Sequence, residues 1–195
     1  MSIKFNFSNP SERRVKLSIL IGIIAGIVGG FVKWGWEVPF PPRNPLVPWP
    51  LEGMTGAVET ADGFMRVTPP SIFLEQIGID PSHFLTYTFS GIELPLSIFM
   101  VHIGFSVIFG LIYCVAAEYW PRVTMWQGTV FGIGVYIFAH CIVMPLQGLV
   151  PPFTQIPFDE NFSELFGHIF WLWVMELVRR DLRNRITKQP DIAVK

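Results

Sequence analysis

The sequence predicts an all-α membrane protein: a four-transmembrane-helix bundle, both termini cytoplasmic, with a long outward-facing loop carrying short interfacial helices. Three observations predict it. Only 15% of the 195 residues are charged and 51% are hydrophobic, against about 25% charged in soluble domains. Three stretches, about 15–36, 94–117 and 126–149, have the length and apolar content of membrane spans, and a fourth, about 162–179, is less apolar and joins them if its polar face is covered. When these are threaded up and down, the basic residues collect on one side. The chain is then a single integral membrane domain, 1–195, with outward-facing loops at 37–93 and 150–161.

The first span, "VKLSILIGIIAGIVGGFVKW", follows Arg13 and Arg14 and contains Lys16. A basic start before an apolar run also describes a signal peptide, but no A-x-A-like cleavage site follows, so the span is expected to be retained. Asn9, Pro10 and Glu12 stand at N-cap, N1 and N3 spacing and predict its start. Gly22, Gly26, Gly30, Lys33 and Glu37 repeat at three to four residues and share one face. Small residues at that spacing let a second helix approach closely. Lys33 and Glu37 prolong the packing stripe and are expected to enter the bundle at its outer end. Pro39, Pro41 and Pro42 then force an extended exit, with Arg43 at the aqueous edge or paired with Glu37.

Pro45, Pro48 and Pro50 keep the next segment extended. "SIFLEQIGI" (71–79) reads as a short interfacial helix, and Asp80 before Pro81 reads as the cap of another helix leading into the second span. That span holds His102 on a stripe with Ser106, Gly110, Tyr113 and Ala117, and the third aligns Gly128, Gly132, Tyr136 and His140. The fourth carries Glu164, His168 and Glu176, so it spans only if the other helices cover its polar face; otherwise it lies at the interface. The tail from Thr187 onward is expected to fray.

Orientation follows from the positive-inside rule. Lys4, Arg13, Arg14, Lys16, Arg122, Arg179, Arg180, Arg183, Arg185, Lys188 and Lys195 share one side, leaving Lys33, Arg43 and Arg66 for the other. Measured from the outer end of each span, His102, His140 and His168 all lie roughly 10–13 Å deep. With Lys33, Glu37 and Glu164 they make a candidate proton, ion or ligand cluster. A lone histidine on an apolar face is ordinarily structural, and equal depth does not establish that the three point at one another. Glu164 is also three residues after Asn161, the spacing of a capping box, so a structural role competes with a chemical one. Glu176 with Arg179 and Arg180 reads as a surface ion pair at the inner interface. The tryptophans read mostly as an interfacial belt. Cys114 and Cys141 fall at different depths, too far apart for a disulfide.

"FVKWGWEVPFPPR" (31–43), "HIGFSVIFGLIYCVAAEYWP" (102–121), "WQG" (126–128) and "SELFGHIFWLWVMELVRRDLRNRIT" (163–187) together resemble the YagU-like family of bacterial inner-membrane proteins, a domain of unknown function. The resemblance runs close to full length and differs most in the loop around 44–70. It implies a multi-span inner-membrane protein of a Gram-negative cell with a loose association with acid tolerance, and no established enzyme activity, ligand or catalytic residue.

Composition and motifs exclude other classes. No basic block interleaved with aromatics points to nucleic acid, and no nucleophile elbow, P-loop, zinc-protease or dinucleotide motif points to an enzyme. Three function classes stay open. The first is a proton- or ion-responsive protein using the His/Lys/Glu cluster, since histidine is the side chain suited to switching near pH 6–7. The second is a metal or haem binder through His102, His140 and His168, although no cofactor is the leading expectation. The third is a structural protein that forms a homo-oligomer through the glycine face, with the lipid bilayer as its other partner.

Overall fold

The computed structural model describes residues 7–37, 57–59, 65–81 and 83–194. Four long helices dominate: α1 (Val15–Glu37), α3 (Leu96–Tyr119), α4 (Thr129–Leu146) and α5 (Phe158–Thr187), with a short α2 (Pro69–Gln76) between the first two. α1, α3 and α4 are long and apolar enough to cross a membrane. α5 is longer, at 30 residues, but carries charge along its length. The expectation of an all-α chain needs one correction. Two small antiparallel hairpins are present, β1 (Ala57–Glu59) with β2 (Met65–Val67), and β3 (Thr86–Phe89) with β4 (Ile92–Pro95). The proline exit at residues 39–42 and the Arg43 pairing lie outside the described residues.

Several starts differ from their expected places. Asn9 caps a separate 3-10 turn, Pro10–Glu12, accepting from the Ser11 amide, and α1 begins three residues later. The amide of Arg14 donates instead to Glu118 Oε2 at 2.7 Å, so a carboxylate from α3 satisfies a donor at the start of α1. Thr68 caps α2, with Pro69 in its first turn. Asp80 caps no helix. Its backbone carbonyl closes a turn with the amides of His83 and Phe84, and the hairpin β3–β4 leads into α3. α5 begins four residues before the expected boundary, after Pro157, and runs to Thr187. Asn161 is therefore inside the helix, where it accepts from Tyr136 Oη (3.0 Å) and donates to the carbonyls of Phe153 and Ile156. Glu164 is not at a capping position.

α1 packs along both α3 and α5, and α4 packs along α5. The glycine stripe makes the first contact possible. A methyl group on Gly26 would come within 2.5 Å of the Val107 Cα, so the α1 and α3 backbones nearly touch. Ser106 Oγ seals this contact by donating to the Gly26 carbonyl at 2.6 Å, and itself accepts from Trp171 Nε1 at 2.8 Å. The glycine face is thus occupied by α3 within the one chain. Ile21, Ala25, Tyr113, Cys114, Leu172 and Met175 fill the core between these helices. Trp171 belongs to that core and not to a surface belt. Both cysteines are free thiols.

The turn into α4 takes three successive left-handed residues, Trp126, Gln127 and Gly128. Gly128 is required twice over: its φ is +81°, and a side chain there would meet Tyr113 Oη at 2.8 Å and the Leu172 carbonyl at 2.9 Å. Within α4 the winding widens. Tyr136–Val143 forms a π-helix, which nothing in the hydropathy pattern signals. His140 sits in this widened stretch.

Glu160, Glu164, Glu176, Arg179 and Arg183 of α5 point inward, while Asp159, Asp181 and Arg185 stay exposed. Glu176 is 2% exposed and Arg179 1%, joined by bonds of 2.6 and 2.9 Å, so this is a buried pair and not the expected surface pair. Tyr113 Oη donates to the same carboxylate at 2.8 Å. One turn on, Arg183 Nε reaches Glu118 Oε1 at 2.6 Å. The tail does not fray at once: Asp191 returns to within 2.9 Å of Arg179 Nη1 and is 1% exposed, with Ile192 buried beside it. Burial disfavours the Asp191 carboxylate, but the hydrogen bonds and charges of Arg179 and Arg183 and the Ala193 amide outweigh it and hold the carboxyl below its usual range.

Candidate functional site

The cluster starts from α1. The four-residue spacing that gave the glycine stripe places Lys33 and Glu37 one turn apart, and Lys33 Nζ donates to Glu37 Oε1 at 2.7 Å. Lys33 is only 7% exposed, so its second partner matters. That partner is Glu164 of α5, whose Oε2 lies 3.0 Å from Nζ. An ammonium held by two carboxylates is a stable arrangement at a buried position, where an unpaired charge would be costly.

Two imidazoles complete the contact set. His140 reaches Glu164 Oε2 with its Nε2 at 3.4 Å. It stacks on Tyr136 at a ring separation of 5.7 Å. His168, one turn after Glu164, has its Nδ1 2.7 Å from the Glu164 carbonyl and 3.7 Å from Oε2. A carbonyl only accepts, so Nδ1 of His168 carries the proton. The two imidazoles meet edge to face at 5.7 Å. Glu164 is thus a hub, its carboxylate facing a lysine from α1, a histidine from α4 and a histidine on its own helix.

His102 stands apart. Its Nε2 donates to the Gly30 carbonyl at 3.2 Å and its ring sits edge-on against Trp34 at 5.1 Å. It shares a cavity with the others without touching them. That cavity has a volume of 880 Å³, and all six residues singled out from the sequence line it. Its remaining wall is largely aromatic and aliphatic, and Pro69, Pro70 and Phe73 of α2 form part of it.

The arrangement suits protons better than a metal ion. Among the described residues no group of three or more His, Cys, Asp or Glu is placed to hold one. His102 and His168 spend one ring nitrogen each on carbonyls, and Lys33 occupies the side of Glu164 that a cation would take. His140 and His168 are in ring contact, which leaves no gap between them for a porphyrin.

The sequence left two parts unforeseen. Tyr136 and Asn161 brace His140 through the hydrogen bond between α4 and α5; their signal was the Tyr136–His140 spacing of four residues on the polar stripe. At the other end of the helices, Glu118, Arg179, Arg183 and Asp191 form a second buried ionic group. The i,i+4 spacing of Arg179 and Arg183, in line with Glu176, was its only trace in the sequence.

Comparison with known proteins gives two findings. The model of a family described as "Protein of unknown function (DUF1440)" matches residues 27–177. "Inner membrane protein YagU" of Escherichia coli (strain K12) is 43% identical over 195 residues, covering 96% of this chain and 94% of that protein. No solved structure matches.

Proposed function

The chain belongs to the DUF1440 family, and from that premise we propose that it is an integral inner-membrane protein that responds to protons through the Glu164 hub. It crosses the bilayer four times, with both termini cytoplasmic and the cluster nearer the periplasm. The inward burial of Glu160, Glu164, His168, Glu176, Arg179 and Arg183 supports α5 as the fourth span, because its polar face is turned away from lipid. Its 30 residues, about 45 Å at 1.5 Å each, are ample to cross. The distribution of Lys and Arg supports the orientation. The inner membrane for which the relative is named, and the acid tolerance that the family resemblance implies, agree with a role at the periplasmic boundary.

The carrying observation is the convergence on Glu164 of Lys33 at 3.0 Å, His140 at 3.4 Å and His168 at 3.7 Å. With both imidazoles neutral, Lys33 is shared between Glu37 and Glu164. A proton arriving on His140 gives Glu164 a second cation, and its hold on Lys33 weakens. Lys33 then turns towards Glu37, loosening the tie between α1 and α5. The groups facing this exchange are Lys33 and Glu37 from α1, His102 from α3, His140 and Tyr136 from α4, and Glu164 and His168 from α5. Two arrangements of one buried network are what a switch requires.

The test is proton uptake by the purified full-length protein on a pH drop from about 7.5 to 5.5, across the histidine range. The expected result is uptake by the wild type that disappears when His102, His140 and His168 are all replaced by Gln. Undiminished uptake by that variant overturns the reading.

A further inference from the structure

The cavity has a chemistry of its own that a proton does not use. Of the described ionisable groups that line it, Lys33 is the single ammonium, and Glu37 and Glu164 are both carboxylates. Lys33 is already held between those two. Glu37 keeps a side chain 23% exposed, against 7% for Glu164, so Glu37 is the carboxylate more open to an incoming group.

Around it stands an aromatic wall. Phe31 lies 5.4 Å from Phe99, and Trp34 lies 5.3 Å from Phe99, edge-on. Phe73, reaching in from α2, meets Phe105 at 5.6 Å. All five rings line the same cavity. The negative faces of aromatic rings attract a cation that has little water to lose. An anion would face two carboxylates and the ring faces with Lys33 already engaged. The volume of 880 Å³ is within the range of small-molecule sites.

We propose that this cavity binds a lipophilic organic cation, its charge beside Glu37 and its apolar groups against the Phe31, Trp34, Phe73, Phe99 and Phe105 wall. This extends the reading of the Lys33–Glu37–Glu164 group as the functional site by naming a ligand class. Binding and protonation are then linked, because a cation beside Glu37 opposes the swing of Lys33 towards it.

The probe is tetraphenylphosphonium, with tetraphenylborate as an anion of nearly the same size and shape, each titrated into the full-length protein in lipid nanodiscs by calorimetry. Empty nanodiscs supply the correction for partition into lipid. The expected result is saturable binding of the phosphonium at one site per chain and no saturable binding of the borate. Glu37→Gln, which keeps shape and loses charge, is expected to weaken phosphonium binding about tenfold, and Phe99→Leu about fivefold. Equal binding of the two ions, or phosphonium binding indifferent to Glu37→Gln, overturns the proposal. Should Glu37→Gln fail to fold, the comparison of the two ions on the wild type still decides. Proton uptake without phosphonium binding would sink this inference and leave the proton reading intact; Glu37-dependent binding without proton uptake would do the reverse.

Discussion

Replacing Glu118 by Gln tests whether the buried ionic group that Glu118 forms with Arg179, Arg183 and Asp191 holds the fold together. Glu118 is 1% exposed and receives Arg183 Nε at 2.6 Å, Arg183 Nη2 at 3.3 Å and the Arg14 amide at 2.7 Å. Gln keeps the volume and an acceptor for the Arg14 amide, so the loss falls on the Arg183 bonds. Hydrogen bonds to charged groups contribute about 1.5–3 kcal/mol each, and stranding one member of a buried pair costs about 3–5 kcal/mol. Arg183 retains Asp191 at 3.9 Å and the Glu12 carbonyl at 3.2 Å, which sets the expected cost near the lower end, about 3 kcal/mol. Arg183→Met should cost a similar amount by stranding Glu118. The assay is a double-mutant cycle on reversible unfolding in mixed micelles. A direct interaction makes the double variant less unstable than the sum of the singles by about 2 kcal/mol. Additivity within about 0.5 kcal/mol would refute the reasoning.

Gly26→Ala is expected to destabilise the protein by about 1–3 kcal/mol, because its methyl would fall 2.5 Å from the Val107 Cα and force α1 and α3 apart. The same unfolding assay reads it, and an unchanged stability would contradict the close approach. The tail gives a pH prediction. The folded pKa of Asp191 is lowered, so its contribution is fully present above the ordinary carboxylate value of about 3.9 and is lost as pH falls through the lowered value. Limited proteolysis after residue 187 should therefore accelerate only below about pH 4 in the wild type, whereas Asp191→Asn should be cut readily at neutral pH. Equal resistance of the two at neutral pH would count against the Asp191–Arg179 tie.

Local chemistry in the sequence carried a good part of this structure. The spacing of Gly22, Gly26 and Gly30 announced a close helix contact, and continuing it placed Lys33 on the buried face with Glu37 half-buried one turn beyond. The equal depth of three histidines from three helices led to a cavity that they do share. Depth says nothing of azimuth, which is why His102, turned to the Gly30 carbonyl, could not be separated from His140 and His168 beforehand. The π-helix at Tyr136–Val143 was invisible because a widened turn leaves hydropathy unchanged. Asn161 and Glu164 imitated a capping box because the true start, after Pro157, has no side-chain cap to mark it. Glu176 with Arg179 looked like a surface pair because short-range spacing is the same whether a helix face meets water or Tyr113 and Asp191. Long-range partners, such as Glu118 for Arg183, have no sequence signature at all.

Nitrogen NMR of the ¹⁵N-labelled histidine rings in the full-length protein reads the Glu164 hub itself. Over about pH 8 to 5, a proton reaching His140 is expected to change the His140 ring signals and, through Glu164 and the ring contact, to shift those of His168 with them. In Glu164→Gln that change is altered. Ring signals of His140 and His168 that stay fixed across the range, or that titrate identically with and without the Glu164 carboxylate, would contradict the hub.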